Sequence, residues 1–372
     1  MTMNPQNTFP FVTKQEWLTQ IQKDLKGQSP DSLNWNYNQE LSFSPTASVA
    51  ERPPLPPTSG WEIGEQIVVK NPQVANLQAL EALQFGTEGL HFFLPTTPDE
   101  PFLEQLLNGV YLDYVGLHFR GPGVWANPGA ILAILSNLCS RQDLNTQQLK
   151  GSLGYDPLNQ AKFQDWRYLH DLVELAQIQF PGFQIIEIST DKQNPEEAVA
   201  QLLKNANQYV LHLTQSGLSS TSIAHAIHCH ISIGTFYLIE IAKLRAFKLA
   251  WMNWLNAWNA TILIPTISCT FQKDAYTEAL YTNMIKATTM AMSAILGGAN
   301  QLVVRPYDED REHLSNYPPQ FARRIARNIQ HLLKMESGFE QLLDPAAGSH
   351  YIEHATIQIA DKSWELFKNN LS

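Results

Sequence analysis

The 372-residue sequence is poor in cysteine and in positive charge, and it lacks long hydrophobic runs. Its three cysteines, Cys139, Cys229 and Cys269, are far apart and form no CxxC pair, which fits reduced thiols rather than a disulfide framework. Because 25 lysines and arginines stand against 35 acidic residues, the net charge of −10 disfavours nucleic acid and anionic membranes as partners. No segment approaches the roughly 18 apolar residues of a membrane helix, and the N-terminal segment has no signal-peptide pattern. We therefore expect a soluble cytoplasmic protein.

Apolar residues, in contrast, are abundant. They make up 44% of the chain, against 16% charged residues, which is a globular composition. At roughly 150 residues per domain, the length allows two or three domains, or one large barrel with an appendage.

Residues 1–58 are expected to form an N-terminal arm that contacts another subunit. Residues 13–16 have the pattern of a capping box at a helix start. Apolar residues at a spacing of four then predict one stripe on a short helix that ends at Gly27. These residues are Trp17, Ile21 and Leu25. Four prolines between residues 53 and 57 favour extended backbone. Such an arm would lie across its own domain or a partner; a flexible linker is the alternative.

Residues 59–372 alternate between short β-rich runs and longer helical patterns, and each type occurs eight times. The predicted strands are 62–69, 89–94, 111–119, 149–155, 183–189, 223–231, 261–268 and 301–305. The predicted helices are 72–83, 100–107, 128–140, 160–179, 195–215, 235–258, 275–296 and 319–336. Strict alternation requires crossover connections and hence a parallel sheet. Eight units predict an α/β fold, a closed (β/α)8 TIM barrel, rather than a doubly wound sheet. A last helix over residues 350–367 should pack outside the barrel.

Reactive groups of barrel enzymes lie at the C-terminal ends of the strands. The predicted ends carry Arg120, Asp156, Ser189, Asp191, His228, His230, Cys269 and Arg305. The alternation of side chains along a strand would present His228 and His230 on one face, where two imidazoles could bind a metal with Asp156 or Asp191. The other interpretation is polar filling of the barrel mouth. Gly151 and Gly154, inside one strand, indicate close approach of a ligand or of another backbone.

Several segments taken together resemble the methylmalonyl-CoA mutase family. They are residues 24–27, 240–246, 283–298, 324–330 and 344–353, the last reading Asp-Pro-Ala-Ala-Gly-Ser-His-Tyr-Ile-Glu. The resemblance implies a barrel that binds acyl-CoA along its axis. It also implies a separate domain that delivers adenosylcobalamin for the radical conversion of methylmalonyl-CoA to succinyl-CoA.

Other segments depart from what the resemblance implies for a catalytic member. The family's Gly-Tyr-His after strand five is replaced around Ser189, and an arginine that meets CoA phosphates in strand six is replaced within residues 225–228. Residues 61–64 and 303–304 also differ. No DxHxxG motif, whose histidine ligates cobalt in the family, occurs before the sequence stops at Ser372.

The resemblance and its departures together predict a non-catalytic small subunit. Its partner would be the catalytic large subunit, in a heterodimer, and adenosylcobalamin would be bound by that partner. We expect no catalytic, cofactor-binding or metal-binding residue on this chain. One alternative is an active acyl-CoA mutase barrel that uses cobalamin delivered by a separate chain, with Arg120 or Arg305 replacing the lost cation. Others are a metal-dependent hydrolase using His228 and His230, and a free-standing interaction protein.

Overall fold

The computed structural model describes residues 12–45, 55, 56, 58, 60–159, 165–190 and 192–371. The chain forms two compact units, residues 1–51 and 52–372. Of the prolines predicted to extend the arm, Pro53, Pro54 and Pro57 lie outside the described residues. The predicted arm boundary at residue 58 stays a prediction.

The N-terminal unit begins with helix α1, Lys14–Asp24, at the expected capping box. The backbone N–H of Glu16 donates to the Thr13 hydroxyl over 3.2 Å, and the N–H of Thr13 donates to the Glu16 carboxylate over 2.8 Å. The chain leaves the helix through Gly27, whose φ of +88° suits a residue without a side chain. A small antiparallel hairpin follows, formed by β1 (Trp35–Asn36) and β2 (Ser42–Phe43). None of the residues of α1 is fully buried; in its apolar stripe Trp17 is exposed, and Ile21 and Leu25 are half-buried.

The second unit is a closed parallel barrel of eight strands, which confirms the predicted α/β TIM-barrel fold. Strands β3 to β10 are Glu62–Val68, Gly89–Phe93, Gly116–Arg120, Lys150–Tyr155, Phe183–Ser189, Ile227–Ile233, Thr266–Phe271 and Gln301–Val303. Each strand pairs with the next, and β10 closes the barrel against β3.

Helices surround this barrel and bury their apolar faces against the outward side chains of the strands. Helices α2 to α12 are Pro72–Gln84, Glu100–Leu106, Pro122–Ala126, Pro128–Arg141, Trp166–Gln179, Pro195–Gln215, Ser220–Ala226, Tyr237–Ala257, Leu280–Leu296, Pro319–His331 and His350–Asn369. One continuous apolar core lies between the two layers. The last helix, α12, packs outside the barrel against α7 and α9, as expected. Within the described parts of the chain, every helix is too short or too polar to cross a bilayer.

Three predicted strands begin several residues later in the structure. The predicted strand 111–119 begins only at Gly116. The predicted strand 223–231 begins only at Ile227, since residues 223–226 belong to helix α8, where the Ser219 hydroxyl accepts a hydrogen bond from the N–H of Ser222 and starts a helical turn. The predicted strand 261–268 begins only at Thr266, directly after Pro265, which has no N–H to give to a sheet. These shifts of several residues change which side chains reach the barrel mouth.

Candidate functional site

The C-terminal ends of the barrel strands surround an open cavity of about 1600 Å³. Five of the predicted strand-end residues line it: Arg120, Asp156, Ser189, His230 and Arg305. Asp156 accepts a hydrogen bond from the Tyr209 hydroxyl over 2.8 Å. Asp191 lies outside the described residues. The strand ends were therefore a good guide to this surface.

The structure corrects the positions of His228 and Cys269. His228 lies in the first half of β8, inside the barrel and away from the cavity, whereas His230 in the middle of the strand and Ser232 line the cavity. Cys269 lies in the middle of β9 as part of the apolar core, and burial raises the pKa of its thiol to about 12. Cys269 is thus a core residue and not a reactive group at the mouth.

An ionic group lies inside the barrel at the floor of the cavity. Arg120 Nη2 donates to Glu187 Oε1 over 2.7 Å, and Arg120 Nη1 lies 3.1 Å from His230 Nε2. His228 Nε2 is 3.4 Å from the second Glu187 oxygen. Burial disfavours the charged carboxylate, but the Arg120 cation and the His228 hydrogen bond outweigh burial and hold the pKa of Glu187 well below its usual range.

The same group argues against a metal between His228 and His230. Burial, together with the Arg120 cation, lowers the pKa of His230 to about 3. A guanidinium this close would repel a bound cation. The interpretation of these histidines as polar filling agrees with their position.

A second polar group fills the barrel below the first. His118 Nε2 lies 2.8 Å from Glu62 Oε1, and His118 Nδ1 lies 2.9 Å from Ser152 Oγ. The His91 ring stacks on the His118 ring with 4.3 Å between the centroids. Burial and repulsion from His118 lower the pKa of His91 to about 4, so it is neutral near pH 7.

Glycines on the strands make room for these side chains. A Cβ at Gly89 would lie 2.0 Å from Glu62 Oε1, and one at Gly116 would lie 2.2 Å from Glu62 Oε2. A Cβ at Gly154 would lie 2.6 Å from Arg120 Cγ, and one at Gly151 would lie 1.9 Å from the Leu117 carbonyl oxygen. Gly151 therefore admits the backbone of a neighbouring strand, which is one of the two alternatives that the sequence left open, whereas Gly154 makes room for the Arg120 side chain.

The two polar groups occupy the barrel axis. Arg120, Glu187 and His230 line the mouth cavity. Among the side chains that the structure describes, Glu62, His91, His118 and His228 are not part of that lining and lie deeper, and the three histidines are almost completely buried. The cavity thus ends at the ionic group instead of continuing through the barrel.

The arginines around the cavity already have carboxylate partners. Arg305 pairs with Glu309 and, over 3.2 Å, with Asp310. Arg327 binds Glu65 over 2.6 Å. In all, eight carboxylates and six lysine or arginine side chains line the cavity. Its described surface therefore offers a poor environment for a polyanion.

Sequence reasoning missed Glu62, His91, His118 and Glu187. One signal was present, because the tetrapeptide Gly-Leu-His-Phe occurs at residues 89–92 and again at 116–119. The two copies pair in register on β4 and β5, which places His91 beside His118. Nothing local distinguishes Glu62 or Glu187, whose partners come from distant strands.

Comparison with known proteins identifies the family. A family model described as methylmalonyl-CoA mutase matches residues 101–370. The chain belongs to the methylmalonyl-CoA mutase family. Within this family it is 28% identical to a protein named methylmalonyl-CoA mutase small subunit from Porphyromonas gingivalis, over 96% of this chain and 63% of that one.

Two other proteins with methylmalonyl-CoA mutase names are similar to this chain at nearly the same identity. A protein named methylmalonyl-CoA mutase small subunit from Streptomyces virginiae is 26% identical, over 83% of this chain and 51% of that one. A protein named methylmalonyl-CoA mutase from Cereibacter sphaeroides is also 26% identical, over 95% of this chain and 57% of that one. The chain spans between about half and two thirds of the length of these three relatives.

The segments that carry the mutase-family resemblance form scaffold contacts. Arg245 on α9 binds Glu353 on α12 over 2.9 Å, and it also binds Asp344. Gln330 on α11 donates to the Gly64 carbonyl on β3 over 3.1 Å. Asn283 donates to the Tyr307 carbonyl over 3.0 Å. These side chains join helices to each other and to the barrel wall, outside the axis.

Proposed function

We propose that this chain is the non-catalytic small subunit of an adenosylcobalamin-dependent methylmalonyl-CoA mutase, an isomerase that converts methylmalonyl-CoA to succinyl-CoA. In this proposal it stabilises the catalytic large subunit in a cytoplasmic heterodimer. The observation that carries the proposal is the filled barrel axis. Histidines and carboxylates occupy the path along which the family resemblance implies that acyl-CoA binds.

The geometry of the axis does not fit an acyl-CoA substrate. A pantetheine chain would have to displace the Arg120–Glu187 pair and then the Glu62–His118 pair beneath it. Separating the Arg120–Glu187 pair leaves a buried carboxylate without its partner, at a cost of about 1–3 kcal/mol. The cost of separating each pair would offset much of the free energy of acyl-CoA binding.

The CoA phosphates would also find the arginines at the mouth already paired with carboxylates. The alternative of an active barrel requires Arg120 or Arg305 to bind phosphate, but Glu187 neutralises Arg120, and Glu309 and Asp310 neutralise Arg305. A substrate that cannot enter the axis cannot meet a cobalamin placed over the mouth. We therefore assign no cofactor step to this chain, and adenosylcobalamin would be held by the large subunit.

The N-terminal unit supplies a candidate contact surface for the large subunit. The Trp17 side chain on α1 is 44% exposed, and that of Trp35 on β1 is 41% exposed. Exposed tryptophans favour burial against a partner. Stable complexes bury on the order of 1,600 Å² in total. An arm with exposed aromatic rings would contribute part of this area.

Binding to the full chain tests the non-catalytic role. Isothermal titration with methylmalonyl-CoA should give no heat of binding at micromolar ligand, and purified chain incubated with adenosylcobalamin should form no succinyl-CoA. Micromolar affinity would instead favour the active-barrel alternative.

Co-expression with a large mutase subunit tests the partner. We expect the two chains to co-purify and the complex to be active. Removing residues 1–51 should weaken co-purification more than it lowers the melting temperature of the barrel. The deletion stops there because Thr58 accepts a hydrogen bond from Lys248 over 2.8 Å. A matched control replaces Tyr111 and Tyr114, two exposed barrel tyrosines, with alanine. Equal recovery of the deletion variant and full chain would contradict the role of the arm.

A further inference from the structure

Three side chains with metal-ligating atoms converge at the N-terminal end of the barrel axis. Glu62, His91 and His118 each offer one ligand atom, and these three atoms lie within 4.8 Å of one another. Among the described residues, this is the one group of three or more His, Cys, Asp or Glu side chains with that geometry. We propose that this group binds one divalent transition-metal ion of the zinc type. The proposal goes beyond the subunit role and revises the expectation that the chain has no metal site.

The donor set is the first argument. Two imidazole nitrogens and one carboxylate oxygen suit Zn²⁺ and related ions, which take such ligands at about 2.0–2.2 Å. Glu62 Oε1 lies 2.8 Å from His118 Nε2 and 3.8 Å from His91 Nε2. Small side-chain movements would bring the three atoms around one ion.

The second argument is that His118 is already oriented as a ligand. Its Nδ1 lies 2.9 Å from Ser152 Oγ, which leaves Nε2 directed at Glu62. Metal-binding histidines are held in the same way, because a hydrogen bond at one ring nitrogen fixes the ring and leaves the other nitrogen for the ion. Here an ion would take the place of the proton that joins Nε2 to the carboxylate.

The third argument is an unsatisfied atom. His91 Nε2 is buried and has no hydrogen-bond partner, although it is directed at Glu62. Buried polar atoms are nearly always satisfied, so an unsatisfied one calls for an explanation. A bound ion would satisfy this nitrogen.

The surrounding backbone leaves space at the ligand atoms. A Cβ at Gly64 would lie 2.8 Å from His91 Nε2, and one at Gly116 would lie 2.9 Å from His118 Nε2. The Glu62 side chain is 23% exposed, so solvent reaches the carboxylate, although the two histidines are buried. The ion would join three adjacent strands at the base of the barrel.

Metal binding to the full chain tests the proposal directly. The chain is treated with a chelator, dialysed and titrated with Zn²⁺, and Co²⁺ serves as a spectroscopic probe. We expect one tightly bound Zn²⁺ per chain, a rise in melting temperature on addition of Zn²⁺, and visible d–d bands of Co²⁺ in a low-symmetry site.

Three variants assign the site. His91→Gln should lose stoichiometric binding. His230→Gln removes an imidazole from the Arg120–Glu187 group on the barrel axis and should retain stoichiometric binding. Ser152→Ala keeps all three ligands and should weaken affinity by about 10–100-fold, because it frees the His118 ring. This variant still reports on the site if His91→Gln does not fold.

Absence of stoichiometric Zn²⁺ and Co²⁺ binding by the wild-type chain would overturn the proposal. It would also be overturned if folded His91→Gln bound the ion as tightly as wild type, or if binding were lost in His230→Gln alone. If His91→Gln does not fold, unchanged affinity in Ser152→Ala would count against it.

Discussion

The axis of the barrel and its outer helical layer both contain buried charges, but they use them differently. In the outer layer, single arginines bind carboxylates on neighbouring elements, as Arg245 binds Glu353. On the axis, imidazoles share carboxylates in two groups, and two ring nitrogens, His91 Nε2 and His228 Nδ1, remain unsatisfied. The mutase-family segments lie in the outer layer, and the departures lie at or near the axis. The comparison indicates that the helical layer determines the fold, whereas the axis determines what the fold can bind.

The largest expected loss of stability comes from removing one partner of a buried ion pair in the outer helical layer. Glu353→Met removes the carboxylate that binds Arg245 and leaves a buried cation with only Asp344. Removing one partner of a buried ion pair costs about 3–5 kcal/mol. Urea denaturation should show a loss of this size in the free energy of unfolding.

The double variant Arg245→Met/Glu353→Met is the control for this change. Apolar residues of similar size replace the whole pair, so much of the lost stability should return. A single Glu353→Met change that cost less than about 1 kcal/mol would contradict the assigned role of the outer layer.

Breaking the ionic group on the axis should have a smaller effect. Arg120→Met leaves Glu187 buried beside imidazoles, and we expect a loss of about 1–3 kcal/mol near pH 7. The loss is limited because the Arg120 side chain is 31% exposed and gains less from the pair than a buried cation would.

Acidification checks the source of that loss. The pKa of Glu187 is lowered in the folded state, so its contribution is present above its unfolded pKa and is lost as the pH falls through the folded value. The difference in stability between wild type and Arg120→Met should therefore narrow below about pH 4. A difference that stayed constant would mean that Arg120 acts through packing alone.

A third variant tests how His230, on the axis, makes the stability of the protein depend on pH. The pKa of His230 is about 3 in the folded protein and near 6.5 in an unfolded chain. Between these values the unfolded state binds the extra proton, so wild-type stability falls as the pH falls. His230→Gln should reduce this slope by up to about 1.4 kcal/mol per pH unit, measured by urea midpoints from about pH 6.5 to about pH 5. Identical slopes in the two proteins would show that His230 is not held neutral.

The smallest effect is expected at the surface. Arg141 contacts Glu100 and, over 3.3 Å, Glu104, but its side chain is 54% exposed. Solvent screens such pairs, and Arg141→Gln should change the free energy of unfolding by less than about 1 kcal/mol. A larger loss in the same urea experiment would mean that burial does not explain why ion pairs on the axis and in the outer layer stabilise the protein more than ion pairs on the surface.

Local patterns were sufficient to predict the number and order of the barrel elements. The predicted bounds of β7 and α7 agree with the structure, because their flanking residues begin and end each element locally. The position of β8 was wrong by several residues, since the Ser219 cap competes with β-branched residues that also suit a strand. That error placed His228 at the mouth, whereas the structure buries it deeper on the axis and only His230 lines the mouth cavity.

The sequence by itself determined the strand and helix alternation, the capping box at Thr13 and the resemblance to a mutase scaffold, because each depends on residues close together in the chain. Only the tertiary structure decided what fills the axis. Glu62 and His118 are 56 residues apart, and Arg120 and His230 are 110 apart. Their contacts exist only because barrel closure fixes the register of distant strands, and no local pattern specifies that register.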